Sequence, residues 1–471
     1  TENEKPHSSK DIVMYSFGNL ADTIGSQFFS FLIFTFYYVV VGLNVNLLMI
    51  GFVIWSIWNA VNDPLMGALS DRTNTKWGKR KPWIISGIIP TCILLVVIWM
   101  PPLDSQITIF IHFLISVMLF DLFYTMFSLN QVSLFPEMFQ DLDTRAKANV
   151  IIQFIGVFGL IIGIISPSFF IPVYRDSQYL VNYSYAGIFM AIMVGAFAGL
   201  FIKYGIKERA EFAKDSEQSP SFFRSLKFSI SNKAFRQYVV ANTAIFYVFG
   251  MLPIISPLYA SFVLGVDQSF LQSILLGLAI VSAGFFMIFW RFISVKFGVK
   301  TGHIMVMAVF LACLIPFMFA YNFITGIIAY SIAGIGLAGA LFFRAVTISA
   351  IIDEDELKTG VRREGGFYGI NALFIRLSTI AIILTIGLVF NSLELAIFDT
   401  SKFKEIATLN GLRSLMFLYP ANALGIGNFS MSIFPISKER YEEIRKKIKE
   451  LHDKKKLNLK ENENENKRRN M

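Results

Sequence analysis

Apolar runs of about 20 residues recur along this chain, and no other feature constrains its fold as much. Each run is long enough to cross the hydrocarbon core of a bilayer as an α-helix. The chain has 471 residues, 55% hydrophobic and only 16% charged. A soluble domain of that length would need far more charge on its surface. The pattern therefore predicts an all-α, polytopic membrane protein. Twelve spans are read, near 13–41, 45–70, 82–101, 106–136, 147–172, 183–204, 236–264, 269–294, 302–321, 324–352, 366–392 and 406–435.

The first ten residues, TENEKPHSSK, are polar, and no small-residue cleavage site closes the first span, so a removed signal peptide is not expected. Cys92 and Cys313 both sit in apolar runs, which argues against a disulfide framework. His7, His112, His303 and His452 are scattered without metal-ligand spacing. No cofactor is expected. The net charge of +9 follows the membrane rather than nucleic acid. Lys76, Lys79, Arg80 and Lys81 lie after span 2, Lys207 to Lys233 after span 6, and Lys358, Arg362 and Arg363 after span 10. The alternate loops are short and poor in Lys and Arg, so both termini are expected in the cytoplasm.

The longest polar break divides the chain into 1–204, a six-helix bundle; 205–235, a central cytoplasmic loop; 236–436, a second six-helix bundle; and 437–471, a basic cytoplasmic tail. Glu137, Arg145 and Gln153 recur 218 positions on as Asp355, Arg363 and Asn371, each set following the fourth span of its half. Related halves suit a secondary transporter with its site between them near the midplane. In the tail, Ile444, Ile448 and Leu451 form one helical stripe, read as a solvated helix ahead of the low-complexity NENENKRRN.

A charge at the bilayer centre costs about 2.5–3.5 kcal/mol on insertion scales, so such residues mark a pathway or a partner. Asp22, Asp63 and Asp121 fall in the first half, Arg344 and Arg376 in the second. Asn59, Asn62 and Asp63 stand at i, i+3 and i+4, on one helical face. Asp121, Thr125 and Ser128 form a stripe on span 4, with Tyr124 beside it. These oxygens suit a hard cation or a proton held on a carboxylate. Arg344 is read as a structural pairing and His112 as packing. In the turn GALSDRTNTKWGKRKPW, Gly67 permits close helix contact, and Asp71 and Arg72 are read as pairing with neighbouring helix ends in a conformational latch.

The stretches N-D-P-L-M-G-A-L-S-D-R-T and W-G-K-R-K-P-W resemble the span 2–3 signature of the major facilitator superfamily, in the form of its glycoside–pentoside–hexuronide:cation symporters. D-E-D-E-L-K-T-G-V-R-R-E-G, from Asp353 to Gly365, is similar to that family's turn before span 11. The resemblance implies a 12-helix fold in two pseudo-symmetric bundles. It makes Asp63, Asn59, Asn62 and Thr125 counterparts of the cation ligands, with sodium or a proton as the coupling ion. It places Tyr124, Ser128, Val132, Gln153 and Arg376 in the solute pocket, to which the polar pattern adds Asp22, Asp121 and Asn371. Asn59 stands where a galactoside-carrying member has a carboxylate, leaving one formal negative charge, from Asp63. Ser128, Val132 and Gln153 replace that member's aspartate, tryptophan and arginine. Arg376 replaces a lysine and offers a planar donor fork suited to a carboxylate. Gly67, Asp71, Arg72, Arg145, Asp355 and Arg363 are the expected latch, closing the cytoplasmic side of the outward-facing state.

The leading expectation is a monomeric cell-membrane symporter of a sugar, glycoside or sugar acid, working by alternating access. Transport of a lysolipid or another charged amphiphile, uncoupled facilitation, and a non-transporting scaffold are the rival readings. No acid–base pair, nucleophile constellation or phosphate-binding glycine loop points to an enzyme.

Overall fold

The computed structural model describes residues 9–73, 75–139, 142–207, 222–361 and 363–451. They form α1 (Ser9–Thr35, continued by a π-turn to Val40), α2 (Val45–Asp71), α3 (Lys81–Val97), α4 (Gln106–Met138), α5 (Leu142–Ile165) and α6 (Leu180–Leu200). After these come α7 (Phe222–Ser231), α8 (Lys233–Phe262), α9 (Ser269–Leu314), the one-turn α10 (Pro316–Phe319), α11 (Phe323–Thr359) and α12 (Glu364–Ser392). The chain ends in α13 (Ile406–Met416), α14 (Leu418–Ser432) and a tail helix α15 (438–451). Among the described residues, nine segments have the length and hydropathy to cross a membrane, and the protein is a multi-pass membrane protein.

Side-chain caps fix where the helices begin. Asn44, Ser105 and Asn232 each accept a backbone N–H of the first turn of α2, α4 and α8. Asn322 and Thr325 form a reciprocal capping box on α11. Three predicted spans differ in form. α9 runs spans 8 and 9 together, as two helices meeting at Gly298 with φ 77°. Span 12 is split at Phe417, whose φ of −126° and ψ of −62° leave the helical region and separate α13 from α14.

The first set of helices, α1–α6, packs around α1, which lies against α5 and α6. Small residues permit that approach. A Cβ at Gly159 would sit 2.9 Å from Thr23 Cβ, and one at Gly163 would sit 2.8 Å from Gln27 Cβ. The second set comprises α8, α9 and α11–α14, with α9 against α11 as its main seam. The sets meet through α2 with α12, α5 with α9, and α1 with α8.

The polar contacts between the sets gather towards one end. Asn46 and Asn391 exchange amide hydrogen bonds of 3.2 and 2.6 Å. The Tyr38 hydroxyl donates to the Leu395 carbonyl at 2.7 Å. Arg175 donates to both Asp267 oxygens at 2.8 Å, and those bonds hold Asp267 below the usual carboxylate range. That contribution is complete above the ordinary aspartate pKa and is lost as pH falls through the depressed folded value. At the other end the sets part. Between 284 and 296, α9 is exposed around nearly its whole circumference, with only Trp290 buried. A helix with lipid on one side and a tight neighbour on the other would carry a buried stripe there.

α7 and α15 close the second set at this open end. Phe228 of α7 lies edge-on to Phe367 of α12 at 5.4 Å. α15 differs from the solvated helix expected of the sequence, because Ile444 and Ile448 are buried. Its Lys438 Nζ donates to the Lys296 carbonyl at 3.2 Å, and Arg440 lies 3.5 Å from Glu354. Gly298 is needed for that docking, since a Cβ there would approach Lys438 Cβ to 2.8 Å on a backbone already at positive φ. Gly163→Leu is expected to destabilise the first set by about 1–3 kcal/mol through overpacking against α1, read as a lower Tm of the purified protein in detergent.

Candidate functional site

Asn59, Asn62 and Asp63 project from one face of α2 towards α4. Pro64 follows inside the helix and removes the N–H that would bond the Ala60 carbonyl, loosening the turn that carries them. Asn59 Nδ2 donates to Asp121 Oδ1 in a short contact. Asn62 Nδ2 donates to Asp121 Oδ2 at 3.1 Å and to the Asp121 carbonyl at 3.2 Å. Thr125, one turn further along α4, donates its hydroxyl to Asp63 Oδ1 at 3.1 Å. The other Asp63 oxygen accepts Arg376 Nη2 from α12 at 2.8 Å. Asn59, Asn62, Asp121 and Thr125 are buried, whereas the side chains of Asp63 and Arg376 are 29% and 36% exposed. The ion pair is therefore the accessible edge of a buried polar cluster.

This cluster suits a hard monovalent cation. It supplies carboxylate, amide and hydroxyl oxygens from two adjacent helices. The Oδ1 atoms of Asn59 and Asn62 are buried without a hydrogen-bond partner, a state that buried polar atoms seldom adopt.

The remaining candidates divide. The Tyr124 and Ser128 hydroxyls face the Asp22 carboxylate, whose Oδ1 is buried and unpartnered, and Tyr124 stacks on Phe120 at 5.6 Å. These three form a second polar group on the α1–α4 side of the first. Gln153 is exposed on α5. Asn371 is not in the cluster; it is buried and accepts Asn242 Nδ2 at 2.8 Å, linking α12 to α8. Arg344 lies over the Phe246 ring at 5.1 Å. His112 Nδ1 shares a 3.0 Å hydrogen bond with the Tyr37 hydroxyl.

The motif turns form two charge networks, each within one set of helices. Arg80 lies 2.7 Å from Asp71 and 3.3 Å from Glu137, and it donates to Ser70 Oγ at 2.8 Å. Of the two residues expected to pair with neighbouring helix ends, Asp71 does so, through Arg80 at the start of α3. Arg72 is exposed, and among the described residues it enters no ion pair. It caps the C-terminus of α2, whereas Arg80, at the N-cap of α3, is buried between α2 and α4. Gly67 lies against Leu129. In the second set, Arg363 grips Asp355 with two bonds of 2.8 and 2.6 Å and lies 4.1 Å over the Phe228 ring. The side chain of Arg145 falls outside the described residues. Arg80→Gln is expected to cost about 2 kcal/mol, because half-buried acids lose their partner. Arg72→Gln should stay within about 0.5 kcal/mol, both read from thermal unfolding.

The family model described as MFS/sugar transport protein matches residues 14–438. A Bacillus subtilis protein described as the uncharacterized symporter YjmB is 24% identical, over 96% of this chain and 97% of its own. The sodium-dependent lysophosphatidylcholine symporter 1 of Gallus gallus is 24% identical, over 84% of this chain and 80% of its own. An uncharacterized symporter of Synechocystis sp. is 32% identical over 31% of this chain, a match spanning 28% of that relative's length. Among solved structures, a mutant of the nucleoside transporter NupG superposes with a TM-score of 0.65 at 14% identity, over 90% of this chain and 100% of that one. The fold is thus the all-helical one of major facilitator transporters.

Proposed function

The chain belongs to the MFS/sugar transport protein family, and we propose that within it the protein is a sodium-coupled symporter of a sugar or sugar acid, working by alternating access. The observation that carries this reading is the 2.8 Å contact of Arg376 with Asp63, a charge from one set of helices held by the other. Sodium entering beside Asp63, among Asn59, Asn62 and Thr125, neutralises the carboxylate and releases the guanidinium. The freed planar fork is then available to a carboxylate on the solute. Ion and solute thereby share one switch. Tyr124, Ser128 and Asp22 offer hydroxyl and carboxylate partners to sugar hydroxyls, with Gln153 at the rim and Asn371 positioning α12 through Asn242.

Alternating access follows from the asymmetric contacts between the two sets, taken as bundles 1–204 and 236–436 with twelve crossings. The basic residues of the motif turns support an open end and both termini facing the cytoplasm, which makes this form inward-open. The networks of Asp71 with Arg80 and of Asp355 with Arg363 keep each bundle rigid at that end while it moves.

One observation favours a second reading, an amphiphilic lipid as solute. Phe154 and Phe158 on α5, and Phe285 and Phe289 on α9, are exposed where those helices part. They offer an apolar flank to an acyl chain, and the Gallus gallus relative is described as a lysophosphatidylcholine symporter.

Proteoliposomes given labelled glucuronate, a neutral glycoside or lysophosphatidylcholine under an inward sodium gradient separate the readings. The expected result is sodium-driven accumulation of the sugar acid or glycoside. Uptake of lysolipid alone overturns the sugar reading, and accumulation driven by a pH gradient without sodium makes the proton the ion. Asp63→Asn is expected to lower concentrative uptake by about two orders of magnitude, since the charged ligand at the accessible edge of the cluster is lost. Arg376→Lys keeps the charge but loses the fork, and should raise KM for the acid about tenfold while sparing a neutral glycoside.

A further inference from the structure

Asp121 is a buried carboxylate that no cationic side chain hydrogen-bonds; Arg376, bound to Asp63, acts on it only from a distance. The groups that hold its two oxygens are neutral amides, Asn59 on Oδ1 and Asn62 on Oδ2. Both amides come from the helix face that also carries Asp63, and both leave their own Oδ1 atoms buried and unbonded. The geometry is lopsided. Two carbonyl oxygens are orphaned while their NH2 groups crowd one carboxylate. Rotating each amide by half a turn about its Cβ–Cγ bond exchanges O for NH2 within the same volume. After that rotation Asp121 has lost its donors, and Asn59 and Asn62 turn acceptors towards it. A metal cation among these oxygens, or a proton on Asp121, resolves such an arrangement, and titration with sodium separates the two.

We propose that Asp121 is a second carboxylate ligand of the cation, and that the Asn59 and Asn62 amides satisfy it with N–H donors until the cation displaces them. This rests on the cation-coupled reading and extends it. It moves Asp121 from the solute pocket to the ion site and makes two carboxylates, Asp63 and Asp121, compete with one guanidinium, Arg376. The single negative charge expected of the sequence becomes two, one on each of α2 and α4. It also gives the two asparagines a switching role, as donors in one state and ligands in the other.

Thermal unfolding of the purified full chain, with sodium chloride titrated against choline chloride at constant ionic strength, tests the assignment. The wild type is expected to gain Tm with sodium. In Asp121→Asn the half-saturating sodium concentration should rise about tenfold or more, because affinity follows the number of charged ligands. In the exchanged pair Asn59→Asp with Asp121→Asn, one carboxylate and one amide still face each other across the same contact. Its half-saturating concentration should return to within about threefold of wild type. A merely structural hydrogen bond predicts instead that Asp121→Asn lowers Tm equally with and without sodium. Unchanged sodium affinity in Asp121→Asn, in a wild type that responds to sodium, overturns this inference and leaves the symport reading standing. A wild type indifferent to sodium overturns this inference together with the choice of sodium as the coupling ion. Should Asp121→Asn not fold, the exchanged pair carries the test alone: sodium affinity near wild type supports the assignment, and its loss overturns it.

Discussion

An aspartate on α2 and an arginine on α12 hold each other at 2.8 Å in the membrane-spanning part of the protein, and the proposed cycle turns on that contact. Either group alone would be an uncompensated charge where few are tolerated. Together they are not strongly stabilising, because desolvation offsets most of the attraction between paired ions. Their partial exposure weakens the net gain further. An interaction that is costly to leave unmade and of small net worth when made is suited to exchange of partners. The closure of the two sets rests on other contacts, among them the Asn46–Asn391 amide pair and the Arg175–Asp267 bridge towards the closed end. The ion pair is thus free to respond to what enters beside it.

The two motif networks lie at the opposite end and have a different physical character. Arg80 gathers Asp71, Glu137, Ser70 and Asn130 from α2 and α4, and Arg363 is gripped by Asp355 beneath α7. Neither network spans the gap between the sets. In the open form they brace the ends of helices that have lost neighbours from the other set. The tail helix adds to this bracing by burying Ile444 and joining Glu354 to Arg440. In the proposed cycle, a set stiffened in this way moves as a body, with the Asp63–Arg376 pair and the closed-end contacts as its pivots.

Much of this was legible in the sequence. Apolar run length predicted the helices, and i, i+3, i+4 spacing placed Asn59, Asn62 and Asp63 on one face. The sign of the buried charges predicted acids on one half and a base on the other, and Asp63 with Arg376 is such a pair. What was not legible depends on third dimensions that periodicity does not encode. Nothing in the spacing says that Arg80 rather than Arg72 turns inwards, since both sit in one basic turn. The difference lies in which residue begins α3 and which ends α2. Asn371 has the spacing of a pocket residue but meets Asn242 on a helix whose register is set by packing. The tail stripe of Ile444 and Ile448 is too short to announce a docking partner, and its seat is made by Gly298, a left-handed glycine some 140 positions earlier.

Charge arithmetic ties the proposed ion site to the proposed solute. Asp63 and Asp121 contribute two negative charges and Arg376 one positive, so the cluster alone carries a net charge of −1. A sodium ion brings it to zero. A sugar acid arriving with the sodium adds one negative charge, paired with the guanidinium that Asp63 has released, and returns the total to −1. The empty cluster and the cluster loaded with both species then carry the same charge, and the low-dielectric interior penalises neither more than the other. The ion-only form is neutral, and on net charge alone it is the least penalised of the three. It leaves Arg376 without its Asp63 partner, however, and an unpaired guanidinium at this depth opposes the dehydration that closing the open end requires. In the proposed cycle, ion without solute is thereby held back from crossing, which is the condition that separates symport from leak.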